Sequence, residues 1–169
     1  MRNITCHICH ADCISPSGHS NLLIVAESPT KTDLAAWRIF ATAMFTTAGL
    51  VMRKELAQVG LDLTQFRLTT LWQHEPTKNA ECFKHGYDAV LEEAKGKKFI
   101  LLIGAEVVET FTGYKVSDVS GLQVESPVLS APIIYAMVNP SMALARSVGE
   151  VRLAIGKVAK RLEKEGLVE

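Results

Sequence analysis

The chain has 169 residues, of which 48% are hydrophobic and 21% are charged, and its 18 basic and 18 acidic residues leave no net charge at pH 7. This length and composition fit one domain with a substantial core, 1–169, and exclude an intrinsically disordered protein. The balanced charge argues against a histone-like coat for nucleic acid but leaves a local basic patch open. The apolar runs are too short to cross a bilayer, and the first residues contain no signal-peptide core. A cytoplasmic protein with no membrane partner is therefore expected.

The chain starts with a cluster of cysteines. Cys6, Cys9 and Cys13 lie within eight residues, and Cys82 is the remaining cysteine of the four. Disulfides are rare in a reducing compartment, so a Cys-x-x-Cys element favours a metal or redox centre over incidental thiols. We therefore predict that residues 1–20 are a metal-binding leader.

After the leader, short apolar runs alternate with amphipathic stretches, as is typical of parallel strands covered by helices. Strands are predicted at 21–26, 66–72, 98–103 and 132–138. Helices are predicted from Asp33, over 50–60, over 80–94, after Gly104, and through 151–164. The order β-α-α-β-α-β-α-β-α predicts an α/β protein, a three-layer α/β/α sandwich with a four-stranded, mostly parallel central sheet.

Polar and turn-forming residues follow each predicted strand. They occupy residues 27–29, 72–79, 104–105 and 139–141. Because ligands of open parallel sheets bind beyond the carboxyl ends of the strands, the sequence predicts a functional site at this rim.

Five segments, in order from about Cys6 to Arg146, resemble motifs of the thermophilic-type (family 4) uracil-DNA glycosylases. Residues 24–29 are similar to a strand ending in Gly-Glu-Gly-Pro-Gly, residues 69–76 to Thr-Asn-Val-Val-Lys-Cys-Arg-Pro, and residues 101–106 to a Val-Ala-Leu-Gly-Ala turn. Residues 45–49 resemble the stretch that carries the base-stacking ring, and residues 139–141 stand in the place of His-Pro-Ser. The resemblance implies a uracil-DNA glycosylase-like fold with DNA as partner, single-stranded or with a flipped base. Related domains occur in phages.

The resemblance also implies a 4Fe–4S cluster, with Cys6, Cys9, His74 and Cys82 as its ligands. His74 stands where the family has its third cysteine, and imidazole can replace thiolate on iron. Cys13 is the alternative fourth ligand. Structural zinc is the alternative cofactor, because three thiolates and one imidazole also suit a tetrahedral ion.

The catalytic positions depart from the family pattern. Thr70 replaces the asparagine that reads uracil, and a hydroxyl cannot present the paired donor and acceptor of an amide. Asn139 replaces the histidine that stabilises charge on the leaving base. The Asn-Pro-Ser triplet resembles the second motif of the mismatch-specific thymine/uracil glycosylases, whose water-positioning asparagine corresponds to Ser28 here. Glu27 is retained.

Three functions are compatible with this mixture. The expected one is a glycosylase-like protein that binds DNA and has a degenerate site, with weak or no excision of ordinary uracil. The first alternative is an active glycosylase for a mismatched or modified pyrimidine. Its catalytic positions would be Glu27, Ser28 and Asn139, and its base-binding positions Phe45, Thr70 and Ser141. The second alternative is a non-enzymatic phage structural or assembly protein with a protein partner, in which Ser141 would only cap a helix.

Overall fold

A computed structural model describes residues 4–29, 33, 47–140 and 145–169. The leader forms a hairpin in which β1 (Ile4–Thr5) pairs antiparallel with β2 (Asp12–Cys13). The Cys6 N–H donates to the carbonyl of Ala11 at 2.8 Å, and the His10 N–H donates to the carbonyl of Cys6 at 2.8 Å. These bonds close the turn that carries the Cys-x-x-Cys element.

The four predicted sheet strands form one sheet, and all four run parallel within the described part of the chain. They are β3 (Leu22–Ala26), β4 (Arg67–Thr70), β5 (Phe99–Ile103) and β6 (Ile133–Met137), in the spatial order β4-β3-β5-β6. Every residue of β3, β5 and β6 is buried, because both faces of these strands are covered. Because the four strands are parallel, their carboxyl ends meet at one rim of the sheet.

Helices pack on both faces of this sheet. Those in the described ranges are α1 (Thr47–Gln58), α2 (Ala80–Ala94), α3 (Ala105–Thr112), α4 (Val116–Val119) and α5 (Ala145–Lys164), with a 3-10 turn at Leu63–Gln65. Apolar side chains of α1 and α5 share one core with alternate strand residues, and those of α2 and α3 share the other core with the leader. In the part of the chain that is described, no helix is both long and apolar enough to cross a membrane.

The predicted elements largely agree with this architecture. The α/β class and the parallel sheet are confirmed, and α2 has the predicted bounds. The hairpin within 1–20 and the short helix α4 were not predicted, because two-residue strands and a single helical turn leave no periodic pattern. Of the helix predicted from Asp33, only Asp33 itself is described, and it is helical.

Helix α2 lies unusually close to the chain that follows β4. A Cβ atom at Gly86 would stand 1.8 Å from the carbonyl oxygen of Leu71, a distance that only glycine permits. The absence of a Cβ atom at Gly86 therefore lets α2, whose first turn carries Cys82, lie beside the segment that runs from β4 to His74.

Candidate metal centre and rim site

Four potential metal ligands come together from three separate segments. Cys6 and Cys9 come from the leader hairpin, His74 from the segment after β4, and Cys82 from the first turn of α2. The Asn79 side chain caps α2 by accepting hydrogen bonds from the N–H groups of Glu81 and Cys82. The cap fixes the turn that presents Cys82.

The donor atoms are close enough to share one ion. The Sγ atoms of Cys6 and Cys82 are 3.9 Å apart, and Cys9 Sγ is 3.5 Å from His74 Nε2. All four donor atoms lie within 4.8 Å of one another. Three thiols and one imidazole at this spacing can bind a metal ion.

The imidazole of His74 is oriented for this role. Its Nδ1 lies 2.7 Å from the carbonyl oxygen of Glu75, which can only accept a hydrogen bond. In the tautomer with the proton on Nδ1 this hydrogen bond is made, and the lone pair of Nε2 is then available on the side of Cys9 Sγ, 3.5 Å away. Fixing the tautomer through the second ring nitrogen is the usual arrangement of a metal-binding histidine.

The thiols differ in their acidity. Burial acts to raise the pKa of Cys6, but hydrogen bonds from the backbone N–H groups of Cys9 and Ile8, with smaller contributions from the side chains of Cys9 and His74, lower it to about 6. Burial, followed by hydrogen bonds with Cys9 and Cys6, raises the pKa of Cys82 to about 12. A cation among the four side chains would favour the thiolate at each cysteine.

Cys13 is buried beside this centre but is not one of the four converging residues. Its thiol lies 3.5 Å from the carbonyl oxygen of Ala11. Burial and the neighbouring thiols Cys6 and Cys9 raise its pKa to about 11. Cys13 therefore contacts the core as a neutral thiol.

A second group of polar side chains occupies the rim. The Glu27 carboxylate, directly after β3, accepts a hydrogen bond from Asn139 Nδ2 at 3.1 Å and another from the Glu106 backbone N–H at 3.2 Å. The Glu106 side chain in turn accepts from Trp72 Nε1 at 2.9 Å. The segments that follow all four strands thus meet in one network, as predicted for this edge of the sheet.

Gly104 leaves the space that Glu27 occupies. Its φ of +101° is in the region that favours glycine, and a Cβ atom there would lie 2.4 Å from Glu27 Oε1. The Gly-Ala turn after β5 therefore permits the Glu27 carboxylate to reach the N-terminus of α3. Carboxylates are stabilised at helix N-termini by the free N–H groups of the first turn.

The structure brings two sets of predicted site residues together. Cys6, Cys9, His74 and Cys82 converge at the metal centre, and Glu27 contacts Asn139 at the rim. Thr70 ends β4 with only 2% of its surface exposed, and Ser28 is half-buried next to Glu27. Phe45 and Ser141 lie outside the described residues.

Trp72 lies in the predicted rim segment 72–79 but was not predicted as a site residue, and Glu106 was not predicted at the rim at all. Glu106 could have been suspected, because an acidic residue in the first turn of a helix after a strand-ending glycine is placed at the rim. The indole N–H of Trp72 as its partner has no sequence signal.

No protein-family model matches the sequence, and no curated protein is significantly similar to it.

Proposed function

We propose that the chain is a metal-containing, uracil-DNA glycosylase-like protein that binds DNA, single-stranded or with a flipped base, and that excises ordinary uracil weakly or not at all. The order of the five motifs and the position of the rim site at the carboxyl ends of a parallel sheet support the DNA-binding part. The hydrogen bond between Asn139 and Glu27 is the observation that supports weak or absent excision of uracil.

This hydrogen bond places the amide of Asn139 on a protein carboxylate. An asparagine that takes part in base excision presents its amide to the base, the sugar or the attacking water. Here the Nδ2 group donates to Glu27 Oε2, and Glu27 Oε1 accepts from the backbone of α3. The groups at the two motif positions satisfy each other, which favours a structural role for both.

The position of Thr70 supports the same conclusion. The family resemblance places the uracil-reading amide at this residue, but its side chain here is 2% exposed at the end of β4. The short Thr70 side chain therefore offers a base little surface, and a hydroxyl would supply one donor where the uracil edge needs a paired donor and acceptor.

The metal centre belongs to the same proposal. The resemblance implies a 4Fe–4S cluster with Cys6, Cys9, His74 and Cys82 as ligands, and structural zinc is the alternative. In either case the metal would tie the leader hairpin to α2 and to the end of β4, and its binding free energy would become folding free energy.

An active glycosylase for a mismatched or modified pyrimidine is the second candidate. The orientation of Glu27 favours it, since two hydrogen bonds hold this carboxylate at the rim, as a water-activating group requires. Ser28, which is half-buried next to it, would assist.

Two assays test the proposal. The first incubates the metal-loaded protein with single strands and duplexes that carry uracil, mismatched thymine or modified pyrimidines, and measures abasic sites. We expect little release of uracil, and a large gain in the double variant Thr70→Asn, Asn139→His, because it restores the base-reading amide and the charge-stabilising group. Adding Glu27→Gln to the double variant should abolish the gain if the rim carries the chemistry.

The second assay measures binding to single-stranded DNA by fluorescence anisotropy over a range of salt concentrations. DNA binding that weakens with salt is expected. Efficient uracil release by the unmodified protein would contradict the weak-activity part. Absence of DNA binding at low salt would contradict the DNA-binding part and favour an assembly role with a protein partner.

A further inference from the structure

We infer that the metal centre is built for a single tetrahedral zinc ion and not for the iron–sulfur cluster that the family resemblance implies. The inference rests on the proposed metal centre and concerns which metal it takes. Its basis is the separation of the donor atoms, which differs between a single ion and a cluster.

The two measured separations match one zinc ion. Zinc lies about 2.3 Å from sulfur and about 2.05 Å from an imidazole nitrogen, so tetrahedral angles place two sulfurs about 3.8 Å apart and a sulfur and a nitrogen about 3.6 Å apart. The observed distances are 3.9 Å between the Sγ atoms of Cys6 and Cys82 and 3.5 Å between Cys9 Sγ and His74 Nε2.

A 4Fe–4S cluster needs a wider cage. Its four protein ligands bind four different iron atoms at separate corners, so the donors stand outside a body of eight inorganic atoms. Their separation must then be well beyond the 4.8 Å within which all four donor atoms lie here. The space among Cys6, Cys9, His74 and Cys82 has the size of one ion.

The backbone around the donors opposes widening. The absence of a side chain at Gly86 lets α2 pack directly against the carbonyl of Leu71, three residues before His74, and moving His74 and Cys82 apart would break this packing. Cys6, His74 and Cys82 are each 3% exposed, and the ring of Phe83 packs edge-on against Trp72 with centroids 5.4 Å apart. A cluster would have to displace this packing.

The leader hairpin also has the form of a single-ion turn. Cys6 and Cys9 lie in the tight turn between β1 and β2, which is closed by the backbone hydrogen bonds from Cys6 N–H to Ala11 and from His10 N–H to Cys6, both at 2.8 Å. The two thiols are thereby held on one short turn. Soft thiolate ligands with one imidazole and tetrahedral geometry select zinc among the common divalent ions.

Metal analysis tests the inference directly. The protein is produced in medium that contains both iron and zinc, purified without oxygen, and analysed for zinc, iron and acid-labile sulfide. We expect about one zinc ion per chain and no sulfide. Replacement of the zinc by cobalt(II) should give the strong visible bands of a tetrahedral cobalt ion. Thiolate-to-cobalt charge transfer should add absorption at shorter wavelength.

Matched variants tie the metal to this site. Cys82→Ser should lose the ion, whereas Cys13→Ser, which removes an equally buried thiol outside the donor set, should retain it. His74→Cys should also retain one ion and shift the cobalt spectrum towards that of a four-sulfur site, since a single tetrahedral ion accepts either ligand.

The outcomes distinguish the inference of zinc from the proposed metal centre on which it rests. Iron and sulfide in equal amounts, lost in Cys82→Ser, would overturn the zinc inference and leave the proposed metal centre standing. Iron without sulfide would also overturn the choice of zinc. Zinc that remains in Cys82→Ser, or a protein that binds no metal with these residues, would overturn the metal centre itself.

Discussion

The metal centre includes His74 and the rim site includes Trp72, two residues before it, but the two sites are built on different principles. At the metal centre, three thiols and an imidazole nitrogen point at one another within 4.8 Å. At the rim, two carboxylates, an amide, an indole and a backbone N–H are paired as donors and acceptors. Four converging donors can bind a cation, whereas the rim groups are paired with one another.

This difference predicts where the free energy of folding depends on a ligand. The leader hairpin buries few side chains of its own, so its attachment to α2 should depend on the metal. The rim network should contribute to stability without any ligand, by hydrogen bonds of about 1 kcal/mol each.

The largest expected effect tests the metal side of the comparison. Cys82→Ser should lower the free energy of unfolding by about 3–5 kcal/mol, because it removes a ligand of the proposed metal centre, whose metal would link three segments. A strong chelator should lower the unmodified protein to the same stability in urea unfolding. Cys13→Ser is the control and should cost about 1 kcal/mol, as expected for a buried polar substitution. Equal losses in the two variants would contradict the assignment of the ligands, and His74→Ala compared with Cys13→Ala would then identify the fourth.

The next effect concerns the rim. Gly104→Ala should cost about 2 kcal/mol, since it combines left-handed strain with displacement of the Glu27 carboxylate from its two hydrogen bonds. Gly96→Ala is a control for positive φ alone: Gly96 has a φ of +73° and no atom within 4 Å of the added Cβ, so only about 1 kcal/mol of strain is expected.

The excess cost of Gly104→Ala over Gly96→Ala combines the collision with Glu27 and the strain of a Cβ atom at a ψ of 156°, a region that essentially only glycine adopts. In a Glu27→Ala background the collision part should disappear, because the atoms that the new methyl group meets are gone, and the backbone strain should remain. A cost that is unchanged in this background would place all of it in the backbone of the turn and weaken the assignment of Gly104 to the rim network.

A third prediction compares the two ends of α2. Cys82 attaches its first turn through the metal centre, and Glu93 attaches its last turn through a two-pronged ion pair with Arg67 on β4, at 2.5 and 2.8 Å. Both side chains are less than a quarter exposed. Glu93→Gln should cost about 1–2 kcal/mol at neutral pH. Glu92→Gln should cost less than about 0.5 kcal/mol, because the Glu92–Lys95 pair is more than 70% exposed.

The same pair predicts a pH dependence. The hydrogen bonds from Arg67 lower the pKa of the Glu93 carboxyl, against the opposing effect of burial. A lowered pKa in the folded state means that the stabilisation is complete above the pKa of the unfolded chain and is lost as the pH falls through the folded value. The difference in unfolding free energy between the unmodified protein and Glu93→Gln should therefore shrink below about pH 4. A difference that is constant with pH would contradict a charge-dependent bond.

The smallest effect tests whether the two regions are independent. Trp72 contacts both, since its ring lies beside Phe83 and His74 and its indole N–H reaches Glu106. Trp72→Phe keeps a ring and removes the N–H, so we expect a loss of about 0.5–1 kcal/mol, altered side-chain amide signals of Asn139 in NMR spectra, and unchanged metal affinity. A metal affinity that falls more than about tenfold, or 1.4 kcal/mol, would show that the regions are coupled.

Some features of the protein follow from the sequence by itself. Continuous apolar runs such as Phe99–Ile103 determined the buried strands, and the helical spacing of apolar residues determined α2 to its observed bounds. The alternation of strands and helices determined a parallel sheet and placed residues 27–29 and 139–141 at the same rim. Among the chain's four cysteines and five histidines, the family resemblance indicated the four residues that converge in the structure.

Other features were decided only by the tertiary structure. Glu27 and Asn139 are 112 residues apart in the chain, and they become hydrogen-bond partners because β5 lies between β3 and β6 and ends in a glycine turn. Likewise, the approach of Cys82 on α2 to the segment that carries His74 depends on how closely Gly86 allows α2 to lie against Leu71. Residue periodicity reports only which face of an element is buried. Pairing of polar groups and the size of a metal cage depend on distances of a few tenths of an ångström between elements, and these are set by packing across the whole sheet.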